Sequence, residues 1–102
     1  MSAYALALDA LGDPTRRTIV ERLRQGPRSV GELASELPVS RPAVSQHLAV
    51  LRRARLVAHE RQGTRNVYRP DADGVAALRT YFDGFWEDAL DRFADAAGKD
   101  TP

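Results

Sequence analysis

Arginine, glutamine and serine hydrogen-bond the base edges and phosphates of DNA, and one stretch of this sequence concentrates them at helical spacing. From Ser40 to Leu56 the chain reads SRPAVSQHLAVLRRARL. On a helix, Arg41, Ser45, Gln46, Arg52 and Arg53 share one face, while Ala43, Val44, Leu48, Leu51 and Leu56 form an apolar stripe on the other. Arginine forks onto guanine or phosphate, glutamine onto adenine and serine onto either, so the polar face has the chemistry of a surface that enters a major groove. Ser40 is placed to cap this helix, and Pro42 falls in the first turn, where a missing N–H costs little.

The surrounding charge agrees. Residues 40–70 hold seven arginines (41, 52, 53, 55, 61, 65 and 69) against Glu60, a net +6, whereas residues 71–102 hold three basic and eight acidic side chains, a net −5. The whole chain is only +1, so its positive charge is segregated rather than large, as expected when one face docks an anionic partner.

The remaining elements would position that face. Residues 2–11 form a short helix closed by Gly12. Asp13 and Pro14 then restart helix as cap and first helical residue, with Ile19, Val20 and Leu23 inward, as far as Gly26-Pro27. Arg16, Arg17, Arg22 and Arg24 on this second helix read as ion-paired with Asp13 or Glu21, or as solvated. Ser29 and Glu32 make the S-x-x-E capping box of a third helix that turns its Val30, Leu33, Ala34 and Leu37 inward, and Pro38-Val39 lead into the polar helix. Two helices joined by a short turn, the second carrying groove-compatible side chains, make a helix-turn-helix. After Leu56 the period changes to two: Val57, His59 and Arg61, then Asn66, Tyr68 and Pro70, alternate about Gln62-Gly63-Thr64 as a β-hairpin with Gly63 in its turn. Its tip is flanked by Arg61 and Arg65, the pattern of a basic wing, while Val57, Val67 and Tyr68 are expected to pack on the helices.

From Asp71 or Asp73 a last helix runs to about Ala97, with Val75, Leu78, Phe82, Phe85, Ala89, Phe93 and Ala96 at alternating three- and four-residue steps and Tyr81, Trp86 and Leu90 beside them. So many aromatics cannot all be hidden against a small core, and a second copy across a two-fold axis covers them most economically. A small apolar effector or a regulatory protein near Trp86 is the other occupant that this surface suits.

Several functions are excluded. The chain has no cysteine, so disulfides, thiolate metal sites and thiol redox sensing are absent. Its two histidines, His47 and His59, fall on different elements, and there is no Gly-rich phosphate loop or nucleophile elbow, which leaves no reaction centre and no cofactor site. Glu87, Asp88, Asp91 and Asp95 read as a solvated acidic face rather than a cation site, so no metal is expected. No apolar run reaches membrane-spanning length and no signal peptide is visible, so the expected compartment is the cytoplasm, without a membrane partner.

The segments LGDPTRRTIVERL, SVGELASELPVSRPAVSQHLAVLRRARLV and ERQGTRNVYR, in this order and spacing, resemble the ArsR/SmtB-type winged helix-turn-helix repressors over residues 6–70. Residues 71–97 resemble them in helical character alone. The resemblance implies one domain over residues 1–102, mainly α with a small β-hairpin. It would comprise five helices and a two-stranded wing, with the helix-turn-helix at 29–54, the wing at 56–70 and dimerisation helices at 2–11 and 73–97. It places Arg41, Pro42, Ser45 and Gln46 at the base-facing positions. Contacts to the DNA backbone are expected from Ser40, His47, Arg52, Arg61, Gln62, Thr64 and Arg65, with His47 partly packed or facing phosphate. Tyr4, Leu8, Leu78, Phe82, Phe85, Trp86, Ala89 and Phe93 are the expected dimer interface.

The departures from the family are equally informative. Ser29-Val30-Gly31 stand where thiophilic-metal sensors of the family carry Cys-x-Cys, and no histidine follows His59 to build the zinc site that other members place on the last helix. The expected function is therefore a sequence-specific DNA-binding transcriptional regulator, a homodimeric autorepressor on an inverted-repeat operator, that does not sense metal through Cys or His. The alternative is a protein-interaction module docking a partner through its aromatic last helix.

Overall fold

The computed structural model describes residues 2–99 as five helices and a three-stranded antiparallel sheet. The first helix, α1 (Ala3–Ala10), buries Ala7 and Ala10. Asp13 Oδ1 accepts the Arg16 N–H at 3.0 Å and Pro14 takes the first helical position, which opens α2 (Pro14–Gln25) with Ile19 and Leu23 buried. After Gly26-Pro27 the chain extends for two residues as β1 (Arg28–Ser29). Ser29 also caps α3 (Val30–Glu36): its Oγ accepts the Glu32 N–H and the Glu32 carboxylate accepts the Ser29 N–H, each at 3.2 Å, so the capping box read in the sequence is formed.

Residues 37–40 lead into α4 (Arg41–Arg53), where Ser40 Oγ accepts the Ala43 N–H at 3.3 Å and Val44, Leu48 and Leu51 are buried. The helix ends in a Schellman arrangement. Arg55 N–H donates to Arg52 O and Leu56 N–H to Leu51 O, with Arg55 at φ 57° in the left-handed region that glycine usually occupies. Buried Leu56 and Leu51 meet the apolar requirement of that motif.

Strands β2 (Val57–Gln62) and β3 (Arg65–Pro70) pair from Val57 with Pro70 to Gln62 with Arg65. The turn is thus Gly63-Thr64 alone, one residue shorter than the sequence reading, and Gly63 supplies the positive φ (64°) that its first position needs. The sheet order is β1-β3-β2, so the hairpin gains a third strand that the sequence reading lacked. Two residues are too few to show a period of two, and β1 is recognisable only through its partners, Arg28 opposite Tyr68 and Ser29 opposite Val67. Ile19, Leu23, Leu33, Val44, Leu48, Leu51 and Val57 form the fully buried centre of the core, which Tyr68 joins from the sheet.

The last helix, α5 (Ala72–Lys99), begins where Asp71 Oδ1 accepts the Asp73 N–H at 2.9 Å. Gly74 lies against the end of α4, its N–H donating to Arg55 O at 2.7 Å. Leu78 packs on the core, and Tyr81 stacks on Tyr4 of α1 with ring centroids 4.4 Å apart. Every residue from Arg79 to Gly98 is exposed, and beyond Tyr81 the helix leaves the body. A helix of 28 residues is about 42 Å long. It accounts for a molecule measuring 69 × 25 × 24 Å.

Candidate nucleic-acid interface

The core sets which way α4 faces. Because Val44, Leu48 and Leu51 are inside, Arg41, Pro42, Ser45 and Gln46 are exposed together on its N-terminal half, with Arg52 and Arg53 exposed at its end. Arg41 leans back over Gly31 of α3, whose missing side chain leaves the guanidinium 3.5 Å from where a Cβ would stand. Ser40 Oγ is occupied as an acceptor by the cap, which leaves its O–H free to donate.

Ion pairing distinguishes the basic side chains of residues 40–70. Arg55 faces Asp73 at 3.6 Å, Arg65 faces Glu32 at 3.4 Å and Arg69 faces Glu60 at 3.5 Å. At the wing tip, Arg61 Nε donates to Gly63 O at 3.1 Å and Gln62 Nε2 to Glu60 Oε1 at 3.0 Å, with Thr64 exposed beside them. The guanidinium groups of Arg41, Arg52 and Arg53 have no hydrogen bond or ion pair among the described residues. Within residues 40–70, the arginines without such a partner thus all lie on α4. A groove of about 520 Å³ separates α4 and α3 from the wing, with Arg41, Glu32, Arg65 and Asn66 on its walls.

Two acids near this surface are held in their charged form. The Arg16 backbone N–H keeps the Asp13 carboxyl below the usual carboxylate range. The Ser29 backbone N–H, then the Ser29 hydroxyl, does the same for Glu32, with Arg65 and Arg28 adding their positive charge. Glu32 thus serves both the cap of α3 and the wing.

The arginines of α2 only partly follow the sequence reading. Arg24 pairs with Glu21 at 3.3 Å as expected. Arg16 and Arg17 turn back instead to the end of α1, donating to Ala10 O at 2.6 Å and Leu11 O at 2.8 Å. Arg16 also reaches Nδ1 of His47 at 3.4 Å. Thirty-one positions separate Arg16 from His47, so no local pattern could have joined them.

The expected interface residues divide between body and solvent. Tyr4 and Tyr81 stack on one another within the chain, Leu8 is half-buried and Leu78 packs on the core. Phe82, Phe85, Trp86, Ala89 and Phe93 are exposed, Phe93 at 73%. Val75 and Leu90 add to the same exposed apolar surface.

A helix-turn-helix flanked by a hairpin, with its second helix presenting unpaired arginines beside serine and glutamine, defines a winged-helix DNA-binding protein. Residues 13–59 match the model of the family described as "Bacterial regulatory protein, arsR family". The HTH-type transcriptional regulator Rv2034 of Mycobacterium tuberculosis is 60% identical over 98 residues, covering 93% of this chain and 92% of that protein. The HTH-type transcriptional repressor SmtB of the same species is 47% identical over 69 residues, 68% of this chain and 51% of that one. Among solved structures, an ArsR-like transcriptional regulator from Rhodococcus sp. RHA1 superposes with a TM-score of 0.84 at 28% identity, covering 96% of this chain and 92% of that one. The chain belongs to the ArsR family of winged helix-turn-helix transcriptional regulators, DNA-binding proteins and not enzymes.

Proposed function

We propose that this regulator acts as a homodimer joined through α1 and α5, and that it represses transcription from an inverted-repeat operator, its own promoter included. The observation that carries the reading is the set of unpaired arginines on α4, Arg41, Arg52 and Arg53, exposed with Ser45 and Gln46. In this reading residues 29–54 are the reading head, with Arg41, Pro42, Ser45 and Gln46 at base edges. Residues 56–70 are the wing, and Ser40, His47, Arg52, Arg61, Gln62, Thr64 and Arg65 hold the DNA backbone. Helices 2–11 and 73–97 join two copies through Tyr4, Leu8, Leu78, Phe82, Phe85, Trp86, Ala89 and Phe93. The exposed aromatic surface of α5 supports this, since the body of its own chain leaves it uncovered.

The protein works in the cytoplasm, beside the DNA it reads; none of its described helices is long and apolar enough to cross a membrane. Release comes from an apolar effector or a regulatory protein meeting α5 near Trp86, not from a metal held by Cys or His. The test is a gel-shift titration against the DNA upstream of its own reading frame and a scrambled control, at two salt concentrations. Preference for the upstream fragment, weakened by salt, is the expected result. Equal binding to both fragments would overturn autoregulation, and no binding to either would turn attention to α5 as a protein-docking surface.

A further inference from the structure

Arg16 links three elements. Its backbone N–H is held by Asp13, its Nε donates to the last carbonyl of α1 (Ala10 O), and a terminal guanidinium nitrogen meets Nδ1 of His47 on α4. An arginine side chain only donates and stays protonated, so the His47 nitrogen facing it must accept. The other nitrogen of a neutral imidazole then carries the proton. His47 Nε2 has no hydrogen bond among the described residues and is not enclosed, so it is open to solvent from a helix whose neighbouring Ser45 and Gln46 are exposed. The Arg16 guanidinium and, on the same side, the Asp13 carboxylate at the start of α2 both lie near this ring.

We propose that Arg16 is a positioning residue for DNA binding: it fixes His47 as the neutral tautomer protonated on Nε2, which donates that N–H to a backbone phosphate. The inference rests on the reading of α4 as the DNA-facing helix. It adds that the His47 contact is a neutral hydrogen bond rather than an ion pair, and that its donor is aimed from the end of α1. A helix expected to meet a second copy is thereby tied, through one side chain, to a phosphate contact of the reading helix.

The first experiment is ¹⁵N–¹H correlation of the imidazole nitrogens at pH 7.5 in the free full-length protein. His47 is expected to be protonated on Nε2; protonation on Nδ1, or an even mixture, overturns the inference without reference to DNA. Arg16→Gln should shift His47 toward a mixture of tautomers and Arg16→Lys should restore part of the wild-type signal, while an unchanged tautomer in folded Arg16→Gln counts against positioning by Arg16. The second experiment titrates random-sequence duplex with wild type, His47→Gln and His47→Ala. His47→Ala should lose about fivefold in affinity, as for one net hydrogen bond, and His47→Gln, which keeps a donor, should recover most of it. A neutral donor releases no counterion, so the salt slope of His47→Ala should equal that of wild type, whereas an imidazolium–phosphate pair would lower it by about 0.9. A lowered slope overturns the inference. Failure of the wild type to bind duplex at low salt would instead overturn the reading of α4, leaving the tautomer result to stand by itself.

Discussion

At the scale of single residues, the division between paired and unpaired arginines predicts which changes affect sequence reading and which affect general affinity. Replacing both Arg41 and Gln46 by alanine should cost about 1–3 kcal/mol per bidentate base contact at the operator and much less on random duplex, a ratio that competition gel shifts measure. Arg52→Ala and Arg61→Ala should weaken binding to every sequence and each reduce the salt slope by about one. Arg65 should matter less than Arg61, because in the free chain it already faces Glu32 and must leave that carboxylate to reach a phosphate. The acids behave in the opposite way. Asp13 and Glu32 hold folded-state pKa values below their ordinary range, so their stabilisation is present above the unfolded values and is lost as pH falls through the folded ones. The melting temperature should therefore decline as pH is taken below about 4. Glu32→Gln keeps the capping partner but does not titrate, and its decline should be shallower.

At the scale of elements, the junction between α4 and α5 has the least room for change. A Cβ on Gly74 would lie 2.5 Å from Arg55 O and 2.6 Å from Ala54 O, both backbone atoms that cannot turn aside. Gly74→Ala should cost about 2 kcal/mol or more in urea melts, whereas Gly84→Ala, with open space around it, should stabilise α5 by about 1 kcal/mol. The caps show how much of this scale is readable along the chain. Asp13, Ser29 with Glu32, and Ser40 each satisfy donors within three residues, so every one of these helix starts was visible in the sequence. The Schellman end of α4 was not, because an arginine rather than a glycine holds its left-handed position. The strand β1 was not visible either, because its hydrogen-bond partners lie 38 and 40 positions away.

At the scale of the whole molecule, α5 decides the shape and offers the surface on which the proposed dimer would form. It is exposed all the way from Arg79 to Gly98 and carries Phe82, Phe85, Trp86, Leu90 and Phe93 at half to three-quarters exposure. Burying one large apolar side chain contributes about 1.5–3 kcal/mol, so a face of five aromatic and aliphatic groups suits a lasting partner better than water. Phe85→Glu combined with Phe93→Glu should give a monomer by sedimentation velocity. Its operator affinity should fall by a factor on the order of 10², because the two reading heads would no longer be linked. Random-sequence affinity should fall far less, which separates loss of pairing from loss of folding.

Local chemistry along the chain determined the caps, the apolar stripe of α4, the hairpin with Gly63 at its tip and the concentration of arginine in residues 40–70. Each of these depends on neighbours within a few positions, where spacing alone reveals them. Tertiary structure decided which of those arginines remain unpaired, since Glu32 and Arg65 are 33 positions apart and meet only when α3 packs beside the wing. It also decided that Arg16 reaches across to His47 instead of pairing along its own helix. Long side chains choose partners by distance in space, and the packing of Ile19, Leu33, Leu48 and Leu51 around one core sets those distances.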